Sequence, residues 1–78
     1  MRIEFITDRC GYCVEMERDL LGGVVLRRRW YSLQTKRHGS KQQVFGEEAA
    51  AVKVIEAVER ARLRKGYRRV LMRSLIPL

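Results

Sequence analysis

Apolar residues recur at every second position through the first half of the chain and at every third or fourth position later, and this change of period divides the sequence into strands and one helix. Ile3, Phe5 and Ile6 predict a first short strand over Met1 to Ile6, ended by Thr7 and Asp8. Gly11 to Asp19 alternates, with Tyr12, Val14 and Met16 on one face and Cys13, Glu15 and Glu17 on the other, the pattern of a half-buried strand. Leu20-Leu21-Gly22-Gly23 supplies a reversal, because both glycines accept positive φ without steric cost.

The next strand, Val24 to Ser32, places Val24, Leu26, Arg28 and Trp30 on one parity and Val25, Arg27, Arg29 and Tyr31 on the other. Neither parity is apolar beyond Leu26, so the strand is expected to leave the core as it proceeds. Gln34 to Ser40 reads as a flexible polar loop and Lys41 to Phe45 as a short fourth strand. A helix is expected from Glu47 to Lys65, with Ala51, Val54, Ile55, Val58 and Ala61 forming one apolar stripe. Glu47 and Glu48 suit the positive end of its dipole, and Arg62, Arg64 and Lys65 the negative end. Gly66 stops it, and Tyr67 to Leu75 reads as a last strand before Pro77. The expected architecture is α+β, one domain over 1–78, with an antiparallel sheet of four to five strands packed against one long helix.

Composition changes this picture through charge. The chain has 78 residues, too few for a large catalytic pocket, and a formal net charge of +8. Residues 1–21 carry −2, residues 22–46 carry +6 with no acidic residue, and residues 47–78 carry +4. Six cations (Arg27, Arg28, Arg29, Lys36, Arg37 and Lys41) thus flank the only Trp, Trp30, which is what a polyanion with stackable rings would select. No apolar run is long enough to cross a membrane, and Met1 leads into a charged strand rather than a signal peptide, so a cytoplasmic location is expected.

The alternation also divides the arginine triplet. Arg28 goes to one face and its neighbours to the other, so at most two can meet one ligand, and one should pair with Glu15 or Glu17 across the hairpin. Cys10-Gly11-Tyr12-Cys13 makes the opening of the chain resemble a glutaredoxin. That fold needs a proline against the disulfide from mid-chain, and the only proline is Pro77; the residues after Cys13 alternate as a strand, where an odd separation sends two cysteines to opposite faces. Two Cys and one His, His38, do not complete a four-ligand zinc site. No cofactor, no metal site and no catalytic set is expected.

From Tyr12 onward the chain resembles a WGR domain, a module found in DNA-dependent poly(ADP-ribose) polymerases and in short bacterial proteins. The resemblance is carried in order by Tyr12 to Met16, the turn Asp19 to Gly23, the strand Leu26 to Trp30, Phe45 before Glu47-Glu48-Ala49, and Arg64 to Tyr67 after the helix. Where the family motif continues from Trp with Gly, Arg, an apolar residue and a second Gly, this chain has Tyr31, Ser32, Leu33 and Gln34. The resemblance implies contact with the sugar and phosphate of a DNA end by Trp30 but not by Ser32. Three readings follow, in this order: a non-catalytic nucleic-acid-binding module, DNA ahead of RNA, using Arg28, Trp30, Lys36, Arg37 and Lys41; a protein-interaction module, such as a homodimer through an exposed strand edge; and a thiol oxidoreductase.

Overall fold

The computed structural model describes residues 1–70. Five strands, β1 (Arg2–Ile6), β2 (Cys10–Arg18), β3 (Val24–Ser32), β4 (His38–Phe45) and β5 (Arg68–Val70), form one antiparallel sheet in the order β4-β3-β2-β1-β5. A single helix, α1 (Glu48–Arg64), joins β4 at one edge to β5 at the other and packs on one face. The fold is α+β, as the periodicity implied.

Register explains which residues face the helix. Ile3 pairs with Val14, Phe5 with Tyr12, Met16 with Leu26, and Tyr12 with Trp30, so each strand contributes its apolar parity to the same side. Phe5, Val14 and Leu26 are fully buried there, each worth about 1.5–3 kcal/mol relative to exposure. Ala51, Ile55 and Val58 of α1 close the layer from above, with Val54 at its margin. Glu47 occupies the N-cap in an extended conformation and Lys65 the C-cap, followed by Gly66 with φ of 91°.

The β2–β3 hairpin turns through a hydrogen bond from Gly22 N to Asp19 O, with Gly22 at φ of 95° as the residue that lets a tight turn join the right-handed strands. Gly23 keeps an ordinary φ, so one glycine, not both, makes the turn. Leu20 and Leu21 at the tip are almost wholly exposed.

Two sequence expectations change. The fourth strand begins at His38, three residues before Lys41, because His38, Gly39 and Ser40 pair with Tyr31, Trp30 and Arg29. The remaining connection, 33–37, is held rather than flexible: Ser32 Oγ accepts from Gln34 N and Thr35 N, Thr35 Oγ1 accepts from Arg37 N, and Leu33 N donates to Arg9 O. The last strand is described over Arg68–Val70, paired with β1; its expected continuation to Leu75 lies outside the described residues.

A cationic and aromatic groove at the open end of the sheet

β3 leaves the core after Leu26, where the parity that faces the helix turns from apolar residues to Arg28 and the partly exposed Trp30. The side chains that continue the buried parity, Arg28 and Trp30, therefore floor a groove at the end of the sheet beside the C-terminal turns of α1. Its volume is about 750 Å³, within the range of small-ligand sites. Its walls carry four cations, Arg28, Arg37, Lys41 and Arg62, and four aromatic residues, Tyr12, Trp30, Tyr31 and Tyr67, with no carboxylate among the described residues.

Trp30 owes its posture to a glycine. Gly39 lies directly opposite it on β4, and a Cβ built there would fall 2.5–2.7 Å from the indole, so the ring lies over the space where a side chain would stand. It is nearly parallel to Tyr12, with centroids 6.0 Å apart and an angle of 17° between planes, and remains 40% exposed. Tyr12, by contrast, is buried beneath Arg62, whose guanidinium carbon sits 4.5 Å from its centroid and 5.1 Å from that of Tyr67. Trp30 is thus the more open of the two stacked rings.

The two faces of the sheet treat their arginines differently. On the face away from α1, Arg27 pairs with Glu17 and Arg29 with Glu15 at 2.8 Å, so both outward arginines, rather than one, are neutralised across the hairpin. On the groove side Arg28 donates to Gln43 Oε1 at 3.0 Å, a neutral acceptor. Among the described residues Arg28, Arg37, Lys41 and Arg62 have no ion-pair partner. The Nε atoms of Arg28 and Arg62 are also shut off from solvent without a hydrogen bond among the described residues, so packing orients both groups.

Of the residues the sequence nominated, Arg28, Trp30, Arg37 and Lys41 come together here, while Lys36 does not line the groove. Arg62 was read only as a cation at a helix end. Its signal was present, since Ala51, Ile55, Val58 and Arg62 follow one spacing of four, three and four, and an arginine prolonging an apolar stripe marks a place where the core gives way to a site. Ser32, which stands where the resemblance places an arginine, instead builds the turn below the groove.

Cys10 and Cys13 sit on opposite faces of β2, with Cys10 at the groove and Cys13 beneath a second hollow on the outer face; both are free thiols. On that outer face Tyr31 covers Gly11 and pairs with His38, and burial, then the nearby Glu4 charge, hold its phenol above the ordinary value of 10.0. Among the described residues no helix is long and apolar enough to cross a membrane, and no three His, Cys, Asp or Glu side chains cluster as metal ligands. No protein family, curated protein or solved structure matches the chain.

Proposed function

We propose that the chain is a non-catalytic nucleic-acid-binding module, DNA ahead of RNA, on a scaffold resembling a WGR domain, and that its site is the groove around Trp30. One observation carries this reading: four cations without carboxylate partners among the described residues surround the chain's only tryptophan, left 40% exposed. Phosphate oxygens answer the cations and a base or sugar answers the ring. Arg28 and Arg62 are oriented by packing at Nε, and an anion at their terminal nitrogens would add charge-assisted hydrogen bonds.

The test is binding to DNA and RNA oligonucleotides over a range of salt. Four phosphate contacts give a slope of log K against log salt of roughly −3 for single strands and roughly −4 for duplex DNA. Arg37→Ala/Lys41→Ala should weaken binding well beyond Arg18→Ala, which removes an exposed cation paired with Glu48 at the other end of β2. Equal, small losses in both variants, or a flat salt profile, would remove the groove from consideration.

A second reading, homodimerisation through a strand edge, draws on β4. It is an edge strand of eight residues with no proline and an unbroken register, and edges of that kind accept another strand. Ser32 N donating to Arg37 O fixes the alternation, so the backbone groups of His38, Ser40, Gln42 and Val44 face away from β3. Sedimentation of wild type against Gln42→Pro checks it: a dimer that survives the proline does not use this edge.

A further inference from the structure

The ring that would receive a base is seated over Gly39 and nearly parallel to Tyr12, and this restricts what can reach it. Tyr12 is buried beneath Arg62, and Arg62 also covers Tyr67, so Trp30 is the open plate of the groove. Its seat over Gly39 fixes the plane of that plate parallel to its neighbour on β2. A base can lie on it only if one face of that base is bare. Inside a duplex both faces of every base are covered by its neighbours and its edge is paired.

One stacking contact with an aromatic side chain changes affinity by roughly 5- to 150-fold. Unstacking and unpairing a base costs a comparable amount or more. A single plate therefore gains nothing by opening a duplex, and gains its full contribution from a nucleotide that is already unpaired. Arg28 and Lys41 are cross-strand partners on β3 and β4, two residues from Trp30 and Gly39 along their strands, so phosphate donors stand beside the plate at the reach of one nucleotide's backbone.

Resting on the reading of the groove as a nucleic-acid site, we infer that it takes an unpaired nucleotide, base on Trp30 and adjoining phosphate on Arg28 and Lys41. The module accordingly selects single-stranded segments over continuous duplex and needs no strand end.

Because Trp30 is the only tryptophan, its fluorescence reports the contact directly. The intact chain is titrated with circular single-stranded DNA, which has no ends, and with relaxed closed-circular duplex, at equal nucleotide concentration and physiological salt. Quenching by the single-stranded circle but not by the duplex is expected. In parallel, anisotropy of a labelled single-stranded oligonucleotide and a labelled fully paired duplex compares wild type, Trp30→Leu and Trp30→Phe, each checked for a cooperative thermal transition. Trp30→Leu should lose roughly 5- to 150-fold for the single strand and little for the duplex, with Trp30→Phe between. Equal quenching by both circles, or equal losses for both labelled probes, would overturn the inference while leaving a nucleic-acid site in place. Absence of salt-dependent binding to any of the four probes would overturn both.

Discussion

Gly39→Ala tests the seat of Trp30 by adding one methyl group. Gly39 does not have positive φ, so alanine meets no backbone penalty at this position. Replacing glycine where the backbone permits it stabilises a fold by about 0.4–1 kcal/mol through the unfolded chain. Against that gain stands the new Cβ, 2.5–2.7 Å from Nε1, Cε2 and Cζ2 of Trp30, closer than real contacts allow. Such overpacking costs about 1–3 kcal/mol. The net is a loss of ~1 kcal/mol, or a fall in Tm of about 4–8 °C for a domain of this size. Trp30 emission should shift to the red as the ring is pushed toward solvent.

The same substitution in a Trp30→Leu background has no indole to strike, so its sign should reverse to a gain of about 0.4–1 kcal/mol. Thermal melts of the four proteins in the cycle give a coupling of about 1–3 kcal/mol. Gly46→Ala is the control, with ordinary φ and nothing within 4 Å of the added atom. If Gly39→Ala raises Tm with unchanged emission in the Trp30 protein, the ring does not rest on the glycine and the argument about its plane fails.

Leu26→Ala, at a fully buried position, should cost about 2–5 kcal/mol and lower Tm by at least ~8 °C in the same melts. Arg27→Gln/Arg29→Gln removes two half-exposed ion pairs on the outer face, so each change should cost about 1 kcal/mol or less and leave the salt slope of nucleic-acid binding unaltered; a slope shallower by ~1.4 would mean that these arginines meet single-strand phosphate. Arg62→Met keeps bulk over Tyr12 but loses the cation, for which a drop of about 0.5–2 kcal/mol is expected by denaturant titration. The Tyr31 phenol keeps its proton to higher pH folded than unfolded, so its contribution is intact below pH 10 and is lost as pH rises above it; Tyr31→Phe should flatten the stability profile above pH 10, and an unchanged profile would count against burial of the phenol.

Much of the fold could be read from parity. The alternation of Tyr12, Val14 and Met16 and of Val24 and Leu26 assigned faces correctly, since a one-residue slip would expose every core side chain. The helix ends lay within a residue of expectation because acidic and basic residues mark its termini and Gly66 its stop. The start of β4 was not legible. His38-Gly39-Ser40 has the composition of a turn, and what makes it a strand is Trp30 across the ladder, a contact that no local window contains. The same holds for the groove: Arg28, Trp30 and Lys41 could be named from their neighbourhood, whereas Arg62 and Tyr67 join them only because α1 returns across the sheet.

That return has a mechanical consequence. α1 starts where β4 ends and stops just before β5, so its two ends are tied to opposite margins of the sheet. At 17 residues it is about 25 Å long, enough to cover the ~19 Å between the axes of the outermost strands. Strands at the margin of a sheet ordinarily peel first, each independently of the other. Here, lifting either margin pulls on one end of the helix packed over Phe5, Val14 and Leu26, so the opening of β4 and that of β5 are linked through the core. Independent opening is left to the β2–β3 tip, where Leu20 and Leu21 already stand in solvent and nothing holds them down.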